Sequence, residues 1–510
     1  MQNTNRTKNS NRVLVVGGGL GGIRTALDLA EAEKDVVLVD SAHNIGGLMT
    51  QLDRTFPTNN CDLCTLAPNL SESGRQEYIS LLSMTTVEAI SGEKGNFTVS
   101  LKSTPRYINL DKCTGCGACY EAFPDCVRFS PGLDHRAPTC MRYPQAIPQA
   151  YSIDLDKCSD IEALVKVCPA GAINPDDLGS SGDISCGAIV LSPGAALFDP
   201  SGLDYLGYSE QPDVVTSLEY ERILSASGPT GGRLLRPSNG EKPKKVAWIQ
   251  CIGSRGLQKG AASYCSGACC MFALKEAIVT KERFQEDIET TIFYMDMRTF
   301  GKDYERYYLR ARDEFGIRFI HSRPHSILRS HGEQDLTLSY TQDDSSKLVT
   351  EAFDMVVLST GFKAAEETRL LAEKAGIELN DSYFPVHRGF NQVETSRPGI
   401  YVAGTFQAPK DIPETMVQAS AAACLAGKDV SSPEKLEEEP AAPSVPPERN
   451  VVGEEPRVGV FVCDCGENIG GVIDVAAVVE SIAGLPHVVV AKAEGHGCSR
   501  ESMENIRRTI

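Results

Sequence analysis

Cys113, Cys116 and Cys119 stand at C-x2-C-x2-C spacing, which lets thiolates of one short segment take different irons of a 4Fe-4S cubane. A complete run of this kind continues with x3-C-P and is repeated, and the fourth cysteine of each run serves the other run's cluster. Here the fourth position of the first run is Phe123, followed by Pro124. In the second run, counted from Cys158, positions two and three are Ile161 and Leu164, whereas Cys168-Pro169 is intact. Cys113, Cys116, Cys119 and Cys168 therefore complete one 4Fe-4S site, and Cys158 with Phe123, Ile161 and Leu164 reads as filled core. Zinc also takes C-x2-C pairs, but a zinc ribbon leaves the degenerate second run unexplained. Cys126 and Cys140 lie in an irregular, Pro-containing stretch as a substitute ligand or as bystanders, with bystander the default.

A second group, Cys251, Cys265, Cys269 and Cys270, has the different spacing C-x13-C-x3-C-C. It follows a buried strand, Val246 to Gln250, where a two-nucleotide reductase opens its second, pyridine-nucleotide-binding βαβ unit. A phosphate loop there reads GxGxxG, because a diphosphate approaches the backbone only where side chains are absent and a helix start offers N–H groups. The chain reads Cys251-Ile-Gly253-Ser-Arg255 instead. Adjacent cysteines on a helix point about 100° apart, so Cys269 and Cys270 reach one cluster only near a helix start or a bend. Buried thiols are common in cores, which is the plain alternative. Four thiols where a nucleotide loop is missing favour a cluster in place of a nicotinamide nucleotide.

The elements that carry these thiols follow from the glycines and apolar runs around them. From residue 13 a β-branched strand enters Gly17-x-Gly19-x-x-Gly22, an Ala/Leu-rich helical segment follows, and a second strand ends on Asp40. The glycines allow the tight turn, the pyrophosphate approach and close helix packing, and Asp40 accepts from the adenosine ribose. FAD and NAD share that motif; residues 399–423 separate them. There a strand from Ile400 to Ala403 ends at Gly404, and Asp411 precedes a small-residue helix whose N-terminus faces a flavin's ribityl and diphosphate. Gly47, in the early Gly46-Gly47 pair, belongs to the same FAD site.

The fold class is thus α/β, a two-domain FAD-dependent reductase, Rossmann-like and of thioredoxin/glutathione reductase-like plan, with an inserted ferredoxin-like 4Fe-4S module. The expected order is a first FAD-lobe part over 12–105, the insert over 106–180 and the FAD-lobe return over 181–235. A degenerate second lobe carrying the atypical cluster follows over 240–365, and the FAD lobe closes over 366–430. An acidic, Pro-rich linker over 431–456 leads to an incomplete βαβ segment over 457–510.

Cys61-x2-Cys64 follows Gly46-Gly47 in chain order. The pair is either a redox dithiol that exchanges electrons with FAD or two inert small residues. With eighteen cysteines and no secretory leader, the thiols point to metal and redox work rather than structural disulfides. The formal charge of -18, with scattered basic residues, excludes nucleic acid as a partner. No run of eighteen apolar residues occurs, so no membrane span is expected. A cytoplasmic protein follows, meeting a membrane only through partners.

With these residues in view, the chain resembles the A-subunit of heterodisulfide reductase and the related A-subunit of the quinone-interacting membrane-bound oxidoreductase. The resemblance rests on the flavin fingerprint, CTGCGAC, CIGSR with YCSGACCMFALK, YMDMRTFGKDYERYYLRARDEFGIRF and VAGTFQAPKDIPETMVQASAAA. It runs from residue 12 to about 430. It implies a 4Fe-4S cluster on Cys251, Cys265, Cys269 and Cys270, hence two clusters and FAD in all. It also implies Lys275 as a cation near flavin N5, and a single-electron role within a multi-subunit complex of an anaerobe. Ferredoxin, hydrogenase or adenylylsulfate reductase are the implied partner types. The alternative is a self-contained NAD(P)H-dependent disulfide reductase using Cys61 and Cys64, against which the missing second GxGxxG argues. The C-terminal stretch, with Cys463, Cys465 and Cys498, resembles the opening of another subunit of this kind and is expected to be truncated.

Overall fold

The computed structural model describes residues 11–125, 127, 146–158, 160–256, 260–284, 288–329, 336–342, 347–430, 453–464, 469–495, 497 and 500–510. Cys126, Cys140, Cys465 and Cys498 lie outside these residues, as does most of the linker expected over 431–456.

The first lobe opens with β1 (Arg12–Val16), α1 (Leu20–Glu31) and β2 (Asp35–Val39). It continues through α2 (Asp62–Ser73) to β3 (Ile79–Leu82) and then forms an antiparallel ribbon from β4 (Thr85–Glu93) and β5 (Asn96–Ser103). The cysteine-bearing insert follows, with α3 (Ala118–Ala122) and α4 (Ile161–Val167), before β6 (Ser180–Cys186) completes the ribbon. Strands β5 and β6 pair continuously from Phe97↔Cys186 to Ser103↔Ser180. The insert therefore takes the place of a hairpin turn, and a whole module enters without interrupting a strand. β7 (Ala188–Leu191) returns to the main sheet, and the short β8 (Ala196–Leu197) leaves it.

The second lobe repeats this plan. β9 (Val214–Thr216) and α5 (Ser217–Leu224) precede β10 (Lys245–Ile252), α6 (Cys269–Phe284), β11 (Glu289–Tyr294), α7 (Tyr304–Asp313) and β12 (Arg318–His321). A ribbon of β13 (Ile327–Arg329), β14 (Leu336–Gln342) and β15 (Lys347–Phe353) leads to β16 (Met355–Thr360). The chain then crosses back: β17 (Phe362–Lys363) pairs with β8, and α8 (Glu366–Ala375), β18 (Ile400–Val402) and α9 (Ile412–Lys428) complete the first lobe. After the linker come β19 (Val458–Cys463), α10 (Val475–Ala483), β20 (Val488–Glu494) and α11 (Arg500–Thr509), with β19 and β20 parallel.

Both main sheets are parallel and five-stranded, in the orders β18-β7-β1-β2-β3 and β9-β16-β10-β11-β12. Each takes its outermost strand from out of sequence, the first from residues 400–402 and the second from residues 214–216. This corrects the expected boundary: residues up to 235 were assigned to the FAD lobe, yet Val214, Val215 and Thr216 pair with Val356, Val357 and Leu358 of the second sheet. Strand β9 covers the open edge of β16, a partner about 140 residues later in the chain, so local pattern gave no sign of it.

The near-continuous apolar strands are explained by helices or ribbons on both faces. Along β1, Val13 and Val15 pack into the core with α1 and α9, whereas Leu14 and Val16 pack with the ribbon and α8. Along β10, Val246 and Trp248 face α5, α6 and α7, and Ala247 and Ile249 face the second ribbon. Each fully buried Val, Leu or Ile contributes roughly 1.5–3 kcal/mol, so the two sheets form rigid floors beneath the loops at their strand ends.

Candidate functional site: a flavin cavity between two cysteine sets

A cavity of about 300 Å³ lies at the carboxyl ends of the first sheet, lined by Gly17, Gly19, Asp40, Gly47, Ser192, Gly194, Gly404 and Asp411, with Ala268 and Phe272 from the second lobe. The glycines are needed for space. A Cβ on Gly17 would stand 2.1 Å from the Ser192 carbonyl oxygen, and one on Gly22 1.7 Å from the Gly17 carbonyl oxygen. Gly19 caps α1, and the atom nearest its missing side chain is Gly47 Cα at 3.8 Å, so bare backbone is left toward the cavity. Asp40 accepts the N–H groups of Gly18 (2.5 Å) and Ala42 (2.7 Å), which fixes its carboxylate at the end of β2. Burial raises the Asp40 pKa and those two bonds counter it. Asp411 caps α9 by accepting from Glu414 N–H at 2.9 Å, with Pro413 in the first turn, and receives the Tyr304 hydroxyl at 2.5 Å. A glycine cradle, a ribose-reading acid and a helix start on one cavity fit an FAD.

Lys410 also lines this cavity, and the sequence reading passed over it. Its ammonium donates to the carbonyl oxygens of Ala408 (2.6 Å) and Gly404 (2.7 Å) and to Gln407 Oε1 (3.1 Å). Burial pushes its pKa down to about 8, although Glu414 and Asp411 act the other way. The signal available was a lysine directly before a capping acid, in a segment of otherwise small and apolar residues. Below about pH 8 a cation thus stands in the flavin cavity. Lys410→Met is expected to make the flavin potential at pH 7 more negative by roughly 50 mV, about 1 kcal/mol per electron. It is also expected to remove an inflection near pH 8 from a spectroelectrochemical titration.

Lys275, which the resemblance puts near flavin N5, stands directly behind the cavity wall. It is fully buried and does not line the cavity; Phe272 does, and the Lys275 ammonium lies 4.3 Å from the centre of that ring. The ammonium forms an ion pair with Glu221 of α5. Burial alone would lower its pKa, but Glu221, Asp62 and Glu276 outweigh it, and Lys275 titrates above the usual lysine range. Lys275 thus offsets a buried acidic group one layer behind the cavity wall.

Cys61 and Cys64 do not line the flavin cavity either; Arg54, Thr55 and Phe56 of the preceding loop take that place.

In the insert, Cys113, Cys116, Cys119 and Cys168 line one small space with Tyr151 and Pro169. Gly117, at φ +88°, turns the chain into α3, and Ala172 N–H donates to Cys168 Sγ at 3.3 Å. Burial, with Cys113 and Cys116 nearby, pushes the Cys119 thiol up to about 11. Phe123, Cys158, Ile161 and the fully buried Leu164 pack in the insert's core, where a second cluster would sit in a complete pair of runs. The buried guanidinium of Arg106 binds this module to the first lobe, donating to the Tyr151 carbonyl oxygen (3.0 Å) on one side and to that of His43 (2.5 Å) on the other.

The second set also converges. Cys251, the last residue but one of β10, stands at φ +61° within an irregularity in the β10–β16 register, so its side chain leaves the strand's regular alternation. Helix α6 begins at Cys269, the helix start that two adjacent cysteines require. Cys265 Sγ accepts Gly267 N–H at 3.4 Å, and Ser254 and Ser266 share a hydrogen bond of 2.9 Å between them. Burial, then the proximity of Cys251 and Cys265, pushes the Cys270 thiol up to about 11, and Cys269 is raised by burial and by the other three. Four thiols that oppose one another's ionisation are a poor anion cradle but match the donor set of a cubane. Among the described residues, no three His, Cys, Asp or Glu side chains close on one point as ligands of a single ion do; a cubane instead takes each thiolate at a different corner.

Two dinucleotide-type lobes, one with an FAD cradle and one with thiols in its nucleotide loop, plus a four-cysteine insert, define a flavin- and iron–sulfur-type oxidoreductase. Family models agree: FAD dependent oxidoreductase over residues 12–66, 4Fe-4S binding domain over 106–122, and pyridine nucleotide-disulphide oxidoreductase over 273–423. The A-subunit of the H(2):CoB-CoM heterodisulfide,ferredoxin reductase of Methanothermobacter thermautotrophicus is 39% identical over 421 residues, 81% of this chain and 63% of that protein. The second iron-sulfur A-subunit of the CoB–CoM heterodisulfide reductase of Methanopyrus kandleri is 40% identical over 429 residues, 83% of this chain and 65% of that protein. A heterodisulfide reductase A-subunit-like protein of Archaeoglobus profundus is 35% identical over 489 residues, 86% of this chain and 68% of that protein. The chain belongs to the heterodisulfide reductase A-subunit family, and spans less than two thirds of the length of the first two relatives.

Proposed function

We propose that the protein is an FAD- and iron–sulfur-dependent electron-transfer subunit of an anaerobe's multi-subunit oxidoreductase, with two 4Fe-4S clusters. One rests on Cys113, Cys116, Cys119 and Cys168, the other on Cys251, Cys265, Cys269 and Cys270. The observation that carries this reading is the shared wall. Ala268 lines the flavin cavity, Cys269 follows it directly, and Phe272 of the same helix closes the cavity beside it. Bound FAD exchanges electron pairs and single electrons, and cubane clusters pass single electrons on.

The chain's own residues set the conditions. Gly17, Gly19 and Gly22 give the backbone room for a diphosphate, Asp40 orients the adenosine end, and the start of α9 faces the same cavity. Lys410 supplies positive charge, and Phe272 closes off the acidic layer behind it. Cys251-Ile-Gly253-Ser-Arg255 leaves no cradle for a second dinucleotide. Among the described residues no helix is long and apolar enough to cross a membrane; a cytoplasmic location, with any membrane contact made by partner subunits, fits this reading. Partners of the ferredoxin, hydrogenase or adenylylsulfate reductase kind, or the other subunits of a heterodisulfide reductase-like or quinone-interacting complex, would receive or supply the electrons.

Anaerobic addition of NADH or NADPH to the purified holoprotein is expected to leave the flavin absorbance unchanged, whereas titanium(III) citrate reduces flavin and clusters. Rapid bleaching of the flavin by NADPH would overturn the reading and favour a nicotinamide-dependent disulfide reductase.

A further inference from the structure

The second four-cysteine set comes to the surface beside an exposed aromatic ring. Cys251 and Cys270 are buried, whereas Cys265 and Cys269 are partly exposed. Gly267 stands between those two, and a Cβ on it would lie 3.9 Å from Phe300 Cζ. Phe300 is 65% exposed, so a bare ring rests on the backbone that carries two of the thiols. The ring is held in place. A Cβ on Gly301 would stand 2.3 Å from the Tyr304 ring, and the buried Tyr304 donates its hydroxyl to Asp411 of the flavin cavity. On the other side of Phe300, Thr299 donates to Glu305 of α7. The loop between β11 and α7 is therefore pinned around Phe300, which lowers the cost of ordering it as an anchor for another protein.

Charge at this face runs against that of the chain as a whole. Among the described residues, the loops after β10, β11 and β12 carry Arg255, Arg298, Lys302 and Arg323 against Asp296 and Asp303. Asp296 is itself paired with Arg255 and, at 3.5 Å, with Arg298. The whole chain has a formal charge of -18. In the insert, the described residues of 107–125 and 146–180 hold nine acids against three lysines. An acidic protein is thus repelled by the insert and by most of the surface, and drawn to the loops at the end of the second sheet.

Given the electron-transfer function proposed above, on which this rests, we propose that Phe300, with Arg298 and Lys302 beside it, docks a small acidic one-electron carrier protein that delivers its electron to the second four-cysteine set. The carrier loses one electron, the set gains it, and no bond is made or broken. Transfer between proteins falls steeply with distance, so the carrier has to sit where the thiols come closest to solvent. Phe300 supplies the apolar anchor there, and the basic loops supply attraction and orientation. The wall formed by Ala268 and Phe272 then puts the flavin cavity next in line.

The test uses the full holoprotein, with a reduced bacterial ferredoxin carrying two 4Fe-4S clusters as the acidic carrier. Stopped-flow absorbance follows reduction by this carrier and, separately, by titanium(III) citrate, a small reductant that needs no docking face. Phe300→Ser and Lys302→Glu are each expected to lower the carrier rate, relative to the titanium rate, on the order of tenfold. The wild-type carrier rate is expected to fall on the order of tenfold between about 20 and 200 mM salt. Both side chains are exposed, so neither change disturbs the core, and flavin and iron content equal to wild type verifies this. A wild-type ratio in both variants would overturn the docking site, as would a carrier that leaves the wild-type protein oxidised. A tenfold loss in Lys112→Glu/Lys157→Glu on the insert, in place of Phe300→Ser and Lys302→Glu, would overturn it too. Titanium(III) citrate that bleaches the flavin without any cluster absorbance change would overturn the proposed function, and the docking site with it.

Discussion

Lys275→Met is expected to lower the unfolding free energy of the second lobe by about 3–5 kcal/mol, the usual effect of breaking one side of a buried ion pair. The ammonium is fully buried against Glu221, with Asp62 and Glu276 close by, and Glu276 also accepts the Trp248 indole N–H at 2.7 Å. Removing it leaves three carboxyl groups facing one another in a dry layer. The loss also has a sign in pH. Burial raises Asp53 to about 6 and Asp62 to about 8, and Glu276 lies well above the usual range for a carboxyl. Acids whose folded pKa exceeds the unfolded value bind more protons when native, so this layer loses stability as pH rises from about 4 toward 8. Without Lys275 those pKa values rise further, and the deficit of the variant widens with pH. Urea unfolding at pH 5 and pH 8 should show a larger difference from wild type at pH 8, with the oxidised flavin spectrum unchanged at both. A flavin potential that shifts in Lys275→Met as far as in Lys410→Met would contradict the placement of Lys275 behind Phe272.

Two kinds of information decided what could be read from the sequence. The flavin cradle was legible because most of its residues serve local needs: Gly17 takes a positive φ, Gly22 packs on the Gly17 carbonyl oxygen of the same turn, and Asp40 follows the next strand. The insert was legible from spacing alone, since Cys113, Cys116, Cys119 and Cys168 keep a ligand arithmetic that Phe123, Ile161 and Leu164 break. What was not legible depended on distant partners. Lys275 follows Cys270 by five residues, but its ion-pair partner, Glu221, comes from α5. Lys410 was overlooked because two of its three partners are backbone carbonyls of its own turn, which leave little trace in residue types. Val214–Thr216 looked like a return to the FAD lobe until β16 was seen to be its neighbour. Asp62 was invisible for the same reason: an acid at the start of a helix is ordinary, and only its full burial beside Lys275 sets it apart.

The claim that a cluster occupies the place of a nicotinamide nucleotide rests on four thiols at the end of β10 and the start of α6. Cys269 and Cys270 are half of that donor set, and serine at both positions keeps the size of the side chains while removing two thiolates. The most direct measurement is iron and acid-labile sulfide per FAD on anaerobically purified protein, wild type beside Cys269→Ser/Cys270→Ser. About eight irons per flavin in the wild type and about four in the variant, with flavin content equal, is the predicted result. About four irons in both proteins would contradict it and return Cys251, Cys265, Cys269 and Cys270 to the status of buried thiols.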